Sequence, residues 1–127
     1  MDASTNSINW FEVPTADIKR AKKFYESIFS CELHEMEMND IKMAMFPNEM
    51  GNGKVNGALC EGSWYKPGGD GPLLYFNGNP NLQPVLDKVQ KAGGKVILPK
   101  TEITPDIGFM AIFTDSEGNR VALHSQK

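Results

Sequence analysis

The chain has 127 residues, of which 40% are hydrophobic and 23% are charged, and its formal net charge is −3 at pH 7. This length fits one ordinary domain and is too short for two independent hydrophobic cores. The composition is typical of a globular protein rather than of a disordered chain. No run of five basic residues indicates a nucleic-acid or anionic-membrane surface, and no apolar stretch approaches the roughly 18–20 residues that span a bilayer.

The N-terminal segment lacks the basic and apolar regions of a secretory signal peptide. The two cysteines, Cys31 and Cys60, are therefore expected to be free, inert thiols in a reducing cytosol. We predict a single cytoplasmic domain over residues 1–127 that contacts neither nucleic acid nor membranes.

The first predicted elements are a strand and a strongly amphipathic helix. Residues 8–13 are rich in aromatic and β-branched side chains, and Pro14 ends the strand. Asp17 can accept hydrogen bonds from the free amides of a helix that begins after it. Apolar residues then recur at three- and four-residue spacing and form one stripe: Ile18, Ala21, Phe24, Tyr25, Ile28 and Phe29.

Three shorter strands are predicted next, followed by a loop. Alternating patterns and turn residues place the strands at 30–38, 41–46 and 55–60. The loop over residues 61–72 is rich in glycine and proline and carries Trp64 and Tyr65. These aromatic side chains suit a lid over a cavity or a dimer contact, and the alternative is a loop that only connects two modules.

The second half repeats the order of the first. The offset is about 63 residues, which aligns Phe11 and Val13 with Leu74 and Phe76. The sequence thus predicts two β-α-β-β-β modules, at about 8–61 and 72–125, that arose by duplication. Two modules that each leave one sheet face unburied are expected to close around a shared cavity. The predicted second-half elements are a strand at 73–77, a helix at 82–92, a strand at 95–98, a loop at 99–107, a strand at 108–114, a turn at 115–119 and a strand at 120–124.

Short motifs at 13–17, 23–25, 93–96 and 115–119 are together similar to those of the vicinal oxygen chelate superfamily. This group includes glyoxalase I, the bleomycin resistance proteins and the extradiol dioxygenases. The resemblance covers residues 8–124 and implies an α+β fold, in which two tandem βαβββ modules form a concave, barrel-like sheet with helices on the convex side. It also implies a homodimer and, in enzymatic members, a divalent metal that polarises vicinal substrate oxygens.

The resemblance further implies four metal ligands, on the first and last strands of the two modules. The matching positions hold Trp10, Ala58 or Leu59, Leu73 and Ala122. None of these side chains supplies a lone pair to a metal. We therefore expect no cofactor and no metal-ligating residue.

A slip of two residues in this register keeps the same sheet face and restores possible ligands. It brings Glu12, Tyr75 and His124 to the ligand positions, with Cys60 or Glu61 near the fourth. A divalent metal is expected only if the slipped register is the right one.

Alternation along the first strand assigns its two faces. Phe11 and Val13 suit the helix-packing side, so Trp10 and Glu12 face the cavity. A carboxylate there can act as a general acid or base, and His124 is a second catalytic candidate. The alternative for Glu12 is a salt bridge to Arg120 or a hydrogen bond to Tyr75.

By the same alternation, Trp10, Tyr75 and Asn77 lie on the cavity side and are candidate ligand-binding residues. Aromatic rings with a few polar groups are typical of small-molecule pockets. The alternative is that Trp10 fills the space that a metal centre would occupy.

Three functions follow as hypotheses. The first is a small-molecule-binding protein of the glyoxalase/bleomycin resistance type with a metal-free pocket. The second is a glyoxalase-like lyase or isomerase that acts on a small oxygenated substrate, with Glu12 as acid/base. The third is a non-catalytic structural or regulatory subunit.

Overall fold

The computed structural model describes residues 1–127 and confirms two tandem β-α-β-β-β modules, hence the α+β fold class. In the second module the helical part is split in two. None of the helices is long and apolar enough to cross a membrane. The elements are β1 (Trp10–Pro14), α1 (Ile18–Phe29), β2 (His34–Met38), β3 (Ile41–Met45), β4 (Asn56–Glu61), β5 (Tyr75–Asn77), α2 (Gln83–Leu86), α3 (Val89–Ala92), β6 (Lys95–Thr104), β7 (Gly108–Thr114) and β8 (Arg120–Ser125).

Each module forms its own four-stranded sheet. Sheet 1 has the strand order β1-β4-β3-β2, and sheet 2 has the matching order β5-β8-β7-β6. In both sheets the first strand of the module pairs in parallel with the last, and the other pairs are antiparallel. The same topology in both halves agrees with the predicted duplication.

Helix α1 has the predicted start and the predicted buried stripe. The Asp17 carboxylate accepts hydrogen bonds from the amides of Lys19 and Arg20, both at 3.1 Å. The helix ends at Ser30, which has left-handed backbone angles (φ 52°). Its apolar stripe is buried except for Phe29, which is partly buried, so α1 covers one face of sheet 1.

The second module departs from the prediction at two elements. The single helix expected over 82–92 is two four-residue helices, because the amide of Lys88 donates to the carbonyl of Val85, three residues back. The loop expected over 99–107 is confined to residues 105–107, since β6 continues through Pro99 to Thr104 with three register shifts. Strand β6 lies at the edge of sheet 2, where a residue without an N–H group is tolerated.

One hydrophobic core lies between the two modules. It contains the helix-facing side chains of both sheets, so that Phe24 of α1 lies 6.0 Å from Phe113 of β7, measured between ring centroids. Phe11 of β1 and Phe76 of β5 also meet, at 5.5 Å. The convex faces thus pack together through the helices, and each concave face is left on the outside. The sequence suggested that the two modules close around a shared cavity. The structure corrects this prediction, because the two concave faces of a single chain do not face each other.

A polar cluster joins the modules beside the start of α1. The side chain of Glu117 is fully shielded from solvent. Its carboxylate accepts hydrogen bonds from the amides of Ala16 and Asp17, both at 2.9 Å, and from the guanidinium of Arg20 at 2.7 and 3.0 Å. Burial alone would raise the pKa of Glu117, but these donors and Ser116 together lower it.

The turn that carries Glu117 is organised by Asp115. Its carboxylate accepts hydrogen bonds from the amides of Glu117 and Asn119, at 2.8 and 2.9 Å, and from the hydroxyl of Tyr25 at 2.7 Å. Asn119 in turn donates to the carbonyl of Pro14 at 2.7 Å. The predicted turn at 115–119 is therefore also the polar contact that fixes the second module on the first.

Candidate functional site

The concave face of sheet 1 is apolar and rich in methionine. Cross-strand pairing places Glu12, Ala58, Met45 and His34 in one row across the sheet. The next row contains Pro14, Cys60, Met43 and Met36. Trp10 on β1 and Met38 on β2 extend the same face.

Glu12 is exposed on this face and has only neutral partners. Its Oε1 accepts a hydrogen bond from the hydroxyl of Tyr65 at 2.7 Å, and its Oε2 accepts one from the indole Nε1 of Trp10 at 3.3 Å. No lysine, arginine or histidine nitrogen lies within 4.0 Å of the carboxylate. The partners expected for Glu12, Arg120 and Tyr75, do not bond to it.

The loop over 61–72 brings Tyr65 onto the concave face, where it packs against the buried Cys60. The sequence suggested a lid as one role for this loop, but it did not indicate the bond from Tyr65 to Glu12. Trp64, the residue before it, remains 87% exposed. The hydrogen bond to Glu12 raises the pKa of Tyr65 above its ordinary value. Burial, together with the negative charge of Glu12, raises the pKa of Cys60 to about 12, so this buried thiol is inert at neutral pH.

The candidate residues of the second module lie on the concave face of sheet 2. Tyr75 pairs with Ala122, and Asn77 pairs with His124. The Nε2 of His124 lies 2.7 Å from the carbonyl oxygen of Ile107. The side chain of Asn77 accepts a hydrogen bond from the amide of Asn79 at 2.9 Å.

The structure therefore divides the five candidate residues between two places. Trp10 makes no hydrogen bond or ring contact with Tyr75, and Glu12 makes no hydrogen bond with His124. Trp10 and Glu12 line a cavity of about 340 Å³ that also borders Lys66 and Arg120.

Tyr75 and Asn77 line a larger groove, of about 800 Å³, between the two modules. Its floor is aromatic, because the clustered rings of the core reach the surface there. Its aromatic side chains besides Tyr75 are Phe11, Phe29, Phe46 and Phe76.

The residues present do not fit the divalent metal that the resemblance implies. Trp10, Ala58, Leu73 and Ala122 offer no donor atoms for a metal, and Ala58 and Ala122 are fully buried. The residues of the slipped register are engaged elsewhere, Glu12 with Tyr65 and His124 with Ile107. No three His, Cys, Asp or Glu side chains come close enough together to hold a metal ion.

Known structures share this fold. The antibiotic binding protein TnmS3 from Streptomyces sp. superposes with a TM-score of 0.66 over 99% of this chain and 100% of that chain, at 21% identity. A variant of glyoxalase I from Zea mays superposes with a TM-score of 0.72 at 16% identity, and the match covers 94% of this chain but 45% of that one.

Sequence comparison gives the family. A mycobacterial relative, "Putative glyoxylase CFP32" of Mycobacterium bovis, is 29% identical over 116 residues, which is 91% of this chain and 44% of the relative. The chain thus spans less than half the length of this relative. The model of the Glyoxalase/Bleomycin resistance protein/Dioxygenase superfamily matches residues 7–123. This chain therefore belongs to that superfamily, as its β-α-β-β-β repeat and short motifs had indicated.

Proposed function

We propose that this protein is a metal-free small-molecule-binding member of the superfamily, and that its ligand lies on the concave face of sheet 1. The observation that carries this proposal is the carboxylate of Glu12, which is exposed on an apolar wall and lacks a cationic partner. Small-molecule sites combine mostly apolar walls with a few polar groups that orient the ligand. The fold shared with TnmS3, an antibiotic binding protein, is consistent with a binding role.

The proposal includes a homodimer. Both concave faces are open in the single chain, and a second copy offers a way to cover them. If the concave face of sheet 2 of one copy covers that of sheet 1 of the other, Tyr75, Asn77 and His124 meet Trp10 and Glu12 across the interface. This assembly would unite the five candidate residues that one chain keeps apart. A cytoplasmic location, with Cys31 and Cys60 reduced, is part of the same proposal.

The test combines metal analysis with tryptophan fluorescence. The untagged protein is incubated with zinc, nickel, cobalt, manganese or ferrous iron, desalted, and assayed by elemental mass spectrometry, and we expect a metal content near zero. A small-molecule library is then screened by fluorescence on two variants, Trp10→Phe and Trp64→Phe. Binding near Trp10 predicts a ligand signal that survives Trp64→Phe and is lost in Trp10→Phe.

Other outcomes separate the alternatives. One metal ion per chain would overturn the metal-free proposal and direct mutagenesis to Glu12 and His124. The absence of any ligand in the screen would favour a structural or regulatory subunit.

A second candidate function is a glyoxalase-like lyase or isomerase that uses Glu12 as acid/base. It is favoured by the 2.7 Å hydrogen bond between Tyr65 and an exposed carboxylate, a pair able to pass a proton to a substrate. The discriminating variant is Glu12→Gln, which keeps the shape of the side chain. Turnover that Glu12→Gln abolishes without loss of ligand binding would support the enzyme.

A further inference from the structure

The charges of sheet 1 are distributed unevenly between its two faces. On the helix side, Lys42 lies 3.6 Å from Glu61, and Glu35 lies 3.8 Å from Lys19 of α1. Glu61 also accepts a hydrogen bond from the amide of Ile18 at 2.8 Å. On the concave face of the strands, Glu12 is the only carboxylate and forms no ion pair. The cavity that it lines also borders Asp70, Lys66 and Arg120.

The carboxylate of Glu12 has unused hydrogen-bonding capacity. Its two oxygens offer about four acceptor positions, of which Tyr65 and Trp10 use two. Both donors are neutral, and no lysine or arginine pairs directly with the negative charge. The charge acts on its neighbours, because together with burial it raises the pKa of the Cys60 thiol.

The face that carries this carboxylate presents soft, polarizable side chains. Trp10, beside Glu12 on β1, is 41% exposed, and Met36 and Met38 on β2, at the opposite edge of the sheet, are 39% and 52% exposed. An indole face attracts cations through its ring quadrupole, and thioethers adapt to the edges of flat aromatic molecules. This combination suits a ligand that carries both a positive charge and a flat apolar body.

We propose that the concave face of sheet 1 takes a flat organic cation, with its positive centre beside Glu12 and its rings against Trp10 and the methionines. This inference rests on the proposed binding function and specifies the class of ligand. The cavity next to Glu12 also borders Lys66, Arg120 and Asp70, and its two positive side chains oppose a cation there. The ligand therefore extends from Glu12 along its row of the sheet toward Met45, away from these two side chains.

The experiment compares three tricyclic probes of equal ring size: cationic N-methylacridinium, neutral N-methylacridone and anionic acridine-9-carboxylate. Affinities are measured by equilibrium dialysis with the full chain. We expect the cation to bind about tenfold more tightly than the neutral probe, and this preference to disappear in Glu12→Gln. Glu35→Gln is the matched control, because it removes the same charge from the other side of the same sheet and should keep the preference.

Two further variants sharpen the test. Arg120→Gln removes a nearby positive charge and should increase the affinity for N-methylacridinium. Tyr65→Phe removes a donor to Glu12 but keeps its charge, and should leave the preference for the cation in place. Circular dichroism checks that each variant is folded.

The inference and the proposed function fail in different ways. If N-methylacridone binds as tightly as the cation and Glu12→Gln changes neither, the cation inference is overturned while small-molecule binding stands. A preference that persists in Glu12→Gln would also overturn it, since the charge of Glu12 is then not its origin. If no probe binds and the library screen is also empty, both proposals are overturned.

Discussion

Two glutamates of this protein differ in almost every physical respect. Glu117 lies at the contact between the modules, its side chain is shielded from solvent, and four hydrogen bonds from backbone and guanidinium groups satisfy it. Glu12 lies on an exposed face and accepts two bonds from neutral groups. The first arrangement stabilises the fold, whereas the second leaves a charge available to another molecule. Variants of the two residues should therefore separate stability from binding.

The largest expected effect is that of Glu117→Ala. It removes the acceptor of two backbone amides and of Arg20, and it leaves donors at the start of α1 without partners. We expect a loss of about 3 kcal/mol in the free energy of unfolding, measured by urea denaturation. The control is Glu35→Ala, which removes the exposed ion pair with Lys19 and should change the stability by less than about 0.5 kcal/mol. Equal losses in the two variants would show that Glu117 contributes no more to stability than an exposed ion pair.

The pH dependence of stability provides a second way to test the role of Glu117. The folded pKa of this carboxyl is lowered from its ordinary value of 4.5, so its contribution is complete above about pH 5 and is lost as the pH falls through the folded pKa. Urea denaturation of the wild type and of Glu117→Gln should show a constant stability difference at neutral pH. The difference should narrow progressively below pH 4.5. A difference that widens in acid would show that the folded pKa is raised instead.

A smaller effect is expected for Tyr25→Phe. The variant removes the buried hydroxyl that donates to Asp115 at 2.7 Å and keeps the ring in the core. Asp115 retains its bonds from the turn, so the expected loss is about 1–2 kcal/mol in thermal or urea unfolding. A loss below about 0.3 kcal/mol would mean that the turn is held without α1.

The sequence predicted the strands and helices that are determined by the pattern of neighbouring residues along the chain. The alternation at Phe11 and Val13 and the stripe along α1 gave the buried faces correctly, because burial imposes a period of two or of 3.6 residues. The second helix and β6 were predicted less well. Tertiary packing there tolerates Pro99 in an edge strand, which the local pattern does not indicate.

The candidate site could be predicted only in part, for a related reason. Alternation placed Trp10 and Glu12 on the sheet face opposite the helix, but nothing periodic in the loop over 61–72 indicates that Tyr65 returns to Glu12, 53 residues earlier. The sequence also does not indicate that the modules pack through their convex faces. Packing in this way and closure around a shared cavity would both bury the same apolar stripes. One feature of the sequence points to a role for Glu117, namely a carboxylate in a turn that follows a buried strand. Its backbone partners cannot be predicted in this way, because they lie about 100 residues away in the chain.

The smallest expected effect on stability is that of Glu12→Gln, and this small value is informative. Glu12 is exposed, its partners are neutral, and glutamine can still accept a hydrogen bond from Tyr65. We therefore expect the free energy of unfolding to change by less than about 0.5 kcal/mol. Removal of the negative charge should also lower the pKa of the Cys60 thiol, which an ultraviolet titration of the thiolate at alkaline pH would detect. A large loss of stability would show that Glu12, like Glu117, stabilises the fold. An unchanged stability with a lowered pKa of the Cys60 thiol would show that the protein does not need this charge for folding.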